Sequence, residues 1–339
     1  MTFGDIIGQE KAVGRLKGYI GTAAADGAYL FTGPAGVGKA LTAAAFAKAL
    51  NCLTPGASGC DECVSCRKID KDAHPDVHIV DSSAAPGGAA DKDPEEPGQI
   101  RIAQIRQLQE DINYRPYEGR KKVFIINNAH ELNLESANAF LKTLEEPPSD
   151  SVIILITDRR SLLLPTILSR CRMVKFYPLS RSALEQTLRR PREGGAACSP
   201  KEAHFLAFFS EGSLGAALKL KERGIFEEKN KIIDLFCDSG RRLDDPVPAA
   251  SRQDLSASFS ILASWFRDIY LLKTGAGGQE LIHADRAAEL AEGARRYSFA
   301  DLDRIFDLLS ESALNVGRNV NKKLLVSNMI AGCRQSPPA

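Results

Sequence analysis

Gly33-Pro34-Ala35-Gly36-Val37-Gly38-Lys39-Ala40 is the stretch on which the reading of this chain turns. The apolar run 28–32 before it reads as a buried strand, and the alanine-rich run 41–50 after it reads as a helix. Strand, glycine loop and helix together are the setting a phosphate-binding loop requires. Glycines let backbone N–H groups turn inward around phosphate oxygens. The helix N-terminus adds the positive end of its dipole, and Lys39 adds a point charge. The pattern then asks for Ser or Thr, whose hydroxyl ligates Mg²⁺. This chain has Ala40, and a methyl group ligates nothing. The loop reads as a nucleotide site that has lost its metal ligand.

A second run belongs with this loop, Lys122-Val123-Phe124-Ile125-Ile126-Asn127-Asn128. In nucleotide-hydrolysing proteins the partner strand ends in acids that hold Mg²⁺ and activate water. Here both positions are amides, which carry no charge and cannot accept a proton at neutral pH. The candidate nucleotide-binding set is therefore residues 33–40 with Asn127 and Asn128, and it is vestigial for hydrolysis. Further apolar runs at 77–81, 152–157 and 173–176 alternate with helical patterns such as 100–113 and 135–145. Five short strands alternating with helices predict an α/β fold with a parallel sheet. Arg101 and Arg106 read as part of a solvated helix face, with contact to a phosphate backbone as the alternative.

Four cysteines follow the phosphate loop at Cys52, Cys60, Cys63 and Cys66. Two C-x-x-C steps share Cys63, and residues 54–59 read as flexible enough to bring Cys52 back to them. Four thiolates close a tetrahedral Zn²⁺ site with no open position, which makes it structural. A redox pair fits this ladder less well. The remaining cysteines, Cys171, Cys198, Cys237 and Cys333, lie too far away in sequence to belong to it. Residues 82–98 are Ser, Ala, Gly, Pro and acid and read as a mobile loop.

The bulk numbers agree with a globular chain. Of 339 residues, 44% are hydrophobic and 26% charged, with a formal net charge of +1. That length suggests about two or three domains, and the charge announces neither a nucleic-acid partner nor a membrane surface. No apolar run is long enough to span a bilayer, and residues 1–25 lack a signal-peptide pattern. The expected compartment is the cytoplasm, where cysteines are thiols or ligands. From residue 179 the pattern becomes all-helical. Helices are predicted at 180–188, 199–210 and 213–221, then, after a linker at 239–248, at 255–273, 281–297, 299–314 and 320–333.

With these residues together, the chain resembles the bacterial clamp-loader subunits of the AAA+ class, most closely the delta-prime type of DNA polymerase III. The resemblance rests on residues 3–9, the loop 33–39, the four cysteines, and Asn138 to Pro148 (Asn-Ala-Phe-Leu-Lys-Thr-Leu-Glu-Glu-Pro-Pro). It rests further on residues 164–171, Gly212-Ser213-Leu214-Gly215 and residues 319–324. It implies a parallel-sheet domain over 1–178 carrying a zinc module at 52–66, a three-helix lid over 179–238 and an all-α collar over 239–335. It implies a hetero-pentamer with gamma/tau and delta subunits, within the DNA polymerase III holoenzyme, that opens a sliding clamp and places it on primer-template DNA. In that family Ser169-Arg170-Cys171 carries an arginine finger that reaches the ATP of a neighbouring subunit, here Arg170. Active relatives have Ser or Thr at position 40, acids at 127 and 128, and usually arginine at 216. This chain has Ala40, Asn127, Asn128 and Ala216. The departures imply a subunit that holds ATP or ADP weakly, if at all, and does not hydrolyse it. The alternatives are an active gamma/tau-type ATPase subunit of the same complex and a zinc-stabilised DNA-binding module.

Overall fold

The computed structural model describes residues 2–22, 25–54, 59–82, 98–191, 196–237, 252–275 and 281–316, with 325, 327–329 and 331–332. The chain divides into two compact units, one of Met1–Ala183 with Gly212–Ala216, the other of Leu184–Glu211 with Ala217–Ala339.

The first unit is built on five strands: β1 (Gly27–Thr32), β2 (Val77–Val80), β3 (Lys122–Ile126), β4 (Ser151–Thr157) and β5 (Arg172–Lys175). All neighbouring pairs run parallel, in the order β2-β3-β4-β1-β5. Strands β3 and β4 are buried at every position. The cause is cover on both faces, which turns a parallel strand into a continuous apolar run instead of an alternating one. Tyr29, Phe31, Val152 and Ile154 pack on one face, with Phe46 of α2 (Lys39–Asn51) and Leu16 of α1 (Glu10–Lys17). Leu30, Phe124, Ile153 and Leu155 pack on the other. There they meet Ile105 of α4 (Ile102–Ile112), Phe140 of α5 (Leu134–Glu145) and Ile167 of α6 (Pro165–Leu168). Helix α3 (Val64–Asp70) lies between α2 and β2 in the chain. Four alanines of α2 are buried, and their small side chains bring its backbone close to the sheet. The register pairs Leu30 and Ile126 with the same residue, Leu155. The carboxyl ends of β1, β3 and β4 are therefore level, and the segments after them open on one edge.

The second unit is helical. Its helices are α7 (Arg181–Leu188), α8 (Pro200–Phe209), α9 (Leu214–Glu222), α10 (Ile225–Cys237), α11 (Arg252–Lys273), α12 (Ala287–Arg296) and α13 (Phe299–Val316), with the first residues of α7 and α9 belonging to the first unit. Helix α8 begins with a capping box, Ser199 and Glu202 exchanging hydrogen bonds around Pro200, which satisfies otherwise orphaned N–H groups. Helix α11 packs against α10, α12 and α13. Lys229 of α10 is fully buried, 2.6 Å from Asp285 and 4.6 Å from the Phe226 ring centroid.

Three elements differ from expectation. Helix α10 fills the span between the helix expected at 213–221 and the linker at 239–248, so the described residues of 179–238 hold four helices where three are expected. Helix α3 is likewise not among the expected helices. The helix expected over 281–297 begins only at Ala287, because residues 281–283 are non-helical and a 3-10 turn occupies Ala284–Arg286. Of the helix expected at 320–333, residues 325, 327–329, 331 and 332 are described and helical. Residues 83–97 of the expected mobile loop, 55–58 of the cysteine linker and the linker 239–248 lie outside the described residues. Among the described residues no helix is long and apolar enough to cross a membrane.

Candidate functional site

The loop after β1 is held by glycines that other residues could not replace. Gly33 has φ 152° and Gly36 φ 73°. A Cβ on Gly33 would lie 2.4 Å from the Phe176 carbonyl oxygen, and one on Gly36 would lie 2.4 Å from Ser213 Oγ. Backbone conformation and space therefore both require glycine. Val37 is buried beneath the loop. Buried Gln9 ties the arrangement to the segment just after β5, donating to the carbonyls of Val37 at 3.3 Å and Tyr177 at 2.7 Å and accepting from Tyr177 N at 3.1 Å. From the other side Ser213 Oγ donates to Ala35 O at 2.8 Å and Gly215 N donates to Gly36 O at 2.9 Å. Gln9, at the end of the N-terminal run 3–9, and the Gly212–Gly215 run thus both hold the loop.

Lys39 opens α2. Its Nζ donates to the carbonyls of Gly33 at 2.6 Å and Pro34 at 2.5 Å. Burial pushes its amine below the usual lysine range, against the opposing charge of Asp158. Helix α2 has no side-chain cap at Gly38, so its first N–H groups keep hydrogen-bonding capacity at a cleft of about 500 Å³. Gly36, Gly38, Lys39 and Ala40 line one wall of the cleft, and Asn127 and Asn128 line the other. Asn128 sits in the left-handed region at φ 48°, ψ 46°, a conformation asparagine tolerates. Asp81 and Ser82 after β2 and Asp158 after β4 also line the cleft, and none of the three belongs to a sequence motif. They come from strands on either side of β3, and only the sheet order brings them here. Ala216 follows Gly215, and its N–H is capped by Ser213 Oγ at 3.1 Å. The arrangement offers a lysine, a backbone nest and a helix N-terminus to phosphate, and neither a hydroxyl nor a carboxylate at Ala40, Asn127 or Asn128; the carboxylates of the cleft are Asp81 and Asp158.

The four cysteines converge. The sulfurs of Cys52, Cys60, Cys63 and Cys66 all lie within 4.8 Å of one another, and Cys60 and Cys66 are 4.0 Å apart. Tetrahedral Zn–S bonds of about 2.3 Å place ligand sulfurs about 3.8 Å apart, so the donor set and its spacing fit zinc. Cys63 N donates to Cys60 Sγ and Cys66 N donates to Cys63 Sγ. Hydrogen bonds from the Thr54 hydroxyl and the Cys63 and Glu62 N–H groups hold the Cys60 thiol down at about 6, while burial pushes the Cys66 thiol up to about 12. Buried Lys48 of α2 reaches Asp61 at 2.6 Å and Asp70 at 2.5 Å, pinning both ends of the segment to the sheet domain.

Arg170 stands just after α6, which Pro165 opens at its first position. Its Nε donates to Glu145 Oε2 at 3.0 Å, and its Nη1 donates to Thr166 O at 3.1 Å. Ser169 precedes it, and Cys171 is a half-buried thiol pushed up to about 12 by burial.

A parallel sheet with a glycine-lysine loop between β1 and α2, a closed four-thiol cluster and a helical second unit define a phosphate-loop protein of the AAA+ class. Residues 8–180 match the family model described as DNA polymerase III, delta subunit, and residues 241–334 match DNA polymerase III, delta subunit, C terminal. The chain belongs to this DNA polymerase III subunit family. It is 36% identical over 210 residues to DNA polymerase III subunit delta' of Bacillus subtilis, covering 62% of this chain and 58% of that protein. It is 33% identical over 269 residues to subunit delta' of Pseudomonas aeruginosa, covering 78% and 76%. It is 35% identical over 229 residues to subunit tau of Escherichia coli, covering 66% of this chain and 33% of that protein.

Proposed function

We propose that the chain is a delta-prime-type subunit of the DNA polymerase III clamp loader that does not hydrolyse nucleotide itself and supplies Arg170 to the ATP of a neighbouring subunit. The observation that carries this reading is the cleft. Its loop, lysine and helix N-terminus are in place, while Ala40, Asn127 and Asn128 stand where a metal ligand and two acids are needed. Losing one ligand can be compensated by water. Losing the hydroxyl, the metal-side carboxylate and the catalytic carboxylate together removes the basis for Mg²⁺-assisted hydrolysis. An arginine for catalysis then has no use at the chain's own site.

In this reading the partners are gamma/tau-type and delta subunits in a hetero-pentamer, the sliding clamp and primer-template DNA, and the compartment is the cytoplasm. Residues 179–238 serve as a lid and 239–335 as the collar through which the ring assembles. Cys52, Cys60, Cys63 and Cys66 hold one structural Zn²⁺, which supplies cross-linking of the segment and no chemistry of turnover. The Arg170 guanidinium stabilises charge that spreads over the γ-phosphate in the transition state, a contribution of about 10³–10⁵-fold where a finger is complete. Ser169, the lysine-bearing loop and the Gly212–Gly215 run keep the rest of the frame fixed.

The test is the ATPase of rings reconstituted with the unmodified chain, with Arg170→Ala and with Arg170→Lys, assembly being checked by sizing. Arg170→Ala is expected to leave folding and assembly intact and to lower clamp- and DNA-stimulated turnover. Lysine is expected to rescue only partly, since it lacks the planar fork. Equal ATPase and clamp loading by all three rings overturns the finger assignment. Tight, salt-sensitive binding of the lone chain to DNA, without any effect on partner ATPase, would instead favour a free DNA-binding module.

A further inference from the structure

Every nitrogen of the Arg170 guanidinium already has an acceptor in its own chain. Nε and Nη2 lie 3.0 and 2.9 Å from Glu145 Oε2, and Nη1 lies 3.1 Å from Thr166 O and 3.5 Å from Ser169 Oγ. The elements that set this geometry are fixed by the core: Phe140 and Leu144 anchor α5, and Ile167 anchors α6. The pair itself faces water, with the Arg170 side chain 29% and the Glu145 side chain 59% exposed.

Glu145 is an odd choice for its position. It is the last residue of α5, ahead of Glu146-Pro147-Pro148. The C-terminal turn of a helix is where its dipole disfavours a carboxylate. The Arg170 guanidinium supplies the compensation. Yet an exposed pair of this kind biases an equilibrium by about five-fold at most. Two forked bonds to phosphate oxygens form a stronger partner than one shared carboxylate oxygen. The contact is strong enough to dock the arginine and weak enough to release it.

We propose that Glu145 is a positioning residue that docks Arg170 on its own chain until the phosphate of a neighbouring subunit's nucleotide replaces it. This rests on Arg170 acting in trans. In the resting ring the docked arginine is withheld; when the interface closes, the phosphate outcompetes Glu145 and the head transfers.

The experiment measures kcat and KM for ATP of reconstituted rings, without clamp and without DNA. The rings carry the unmodified chain, Glu145→Ala, Glu145→Gln, Arg170→Ala, or the Glu145→Ala/Arg170→Ala pair, with thermal melts to confirm folding. The Arg170→Ala ring is read first, with clamp and DNA added: a stimulated rate equal to that of the unmodified ring means the in-trans reading itself fails, and docking falls with it. Given a lowered rate there, Glu145→Ala is expected to raise basal kcat about two- to five-fold with KM within two-fold. Glu145→Gln is expected to follow Glu145→Ala, because docking depends on charge, and the double variant to fall to the Arg170→Ala rate. An unchanged or lowered kcat for Glu145→Ala overturns the proposal. So does full restoration of the unmodified rate by the isosteric Gln, which marks a role in shape alone. A double variant that keeps the elevated rate overturns it too.

Discussion

The phosphate cleft and the cysteine cluster lie in the same unit and show opposite balances of backbone and side chain. In the cleft the backbone frame is complete, from Gly33 and Gly36 through Lys39 to the open N-terminus of α2. The side chains that would hold a metal are alanine and amides. In the cysteine cluster the donors are all present and within 4.8 Å of one another. A loop held by glycine conformation and by buried Gln9 and Ser213 stands without any catalytic side chain. The four-thiol centre has every donor side chain in place, with backbone N–H groups of its own segment turned to the sulfurs. Presence of the frame therefore says little about chemistry, and presence of convergent donors says much.

The comparison breaks most clearly on metal content. Purified protein is expected to carry about one Zn²⁺ per chain, and Cys63→Ser is expected to lose it. Because metal binding is coupled to folding of its segment and is worth many kcal/mol in small modules, Tm should fall by roughly 10 °C or more. Cys171→Ser and Cys198→Ser should keep the metal, since neither sulfur is in the cluster. A folded, reduced and metal-free preparation of the unmodified protein would erase the contrast.

The cleft should behave in the converse way. Lys39→Ala removes a charged donor, worth about 1.5–3 kcal/mol. It is expected to weaken ATP binding by the isolated chain about tenfold or more. Replacing Mg²⁺ by EDTA should change that affinity less than about twofold, because Ala40, Asn127 and Asn128 offer the cation no carboxylate or hydroxyl and the charge of Asp158 is set against Lys39. Phosphate release should not exceed that of Lys39→Ala. A tenfold gain in affinity on adding Mg²⁺, or turnover that Lys39→Ala abolishes, would show that the cleft still commands a metal.

The two regions also differ in how they could be read. The loop, Asn127 and Asn128, and the cysteines are local in sequence, and the strands are legible because burial on both faces makes them uninterrupted apolar runs. Asp81, Asp158 and Glu145 were not legible as site residues. The first two reach the cleft through the sheet order, and Glu145 meets Arg170 across 25 residues of chain. Helix α3 is only seven residues long and holds just one of the four cysteines, Cys66, with Cys63 as its N-cap, so no long apolar period announces it. Helix α10 was hidden by Lys229, which takes a core-facing place beside Ile225, Ile232 and Ile233. Its charge interrupts the apolar stripe, and its burial is explained by Asp285, Asn230 and the rings of Phe205 and Phe226. The break before α12 follows from buried His283, whose backbone N–H donates to Asp268 Oδ2 at 2.7 Å instead of joining a helix.

That last region sharpens the comparison with a third case, in which the residue types of a catalytic relay are present and the wiring is not. Ser264 Oγ lies 2.8 Å from His283 Nε2, but Asp268 holds the histidine backbone, and Nδ1 has no hydrogen-bond partner. A carboxylate on Nδ1 would raise the imidazole pKa. Here burial, with Lys229, Arg286 and Arg267 nearby, lowers His283 to about 3 from 6.5, and burial raises Asp268 to about 6 from 3.8 against the His283 N–H. As pH falls from 7 to 5 the unfolded chain takes a proton on His283 and the folded chain does not, so stability is lost. Over the same window the folded chain takes a proton on Asp268 and the unfolded chain does not, so stability is gained. The loss is about 2 kcal/mol and the gain about 1.4 kcal/mol at pH 5, and the two nearly cancel. Asp268→Asn keeps an acceptor for the His283 N–H and removes the gain alone. Its Tm is expected to drop by roughly 3–6 °C more than that of the unmodified protein between pH 7 and pH 5, and the His283 imidazole should show no titration by NMR above pH 5. Equal pH dependence of the two proteins, or a His283 that titrates near neutrality, would mean that the buried pair is coupled as a relay after all.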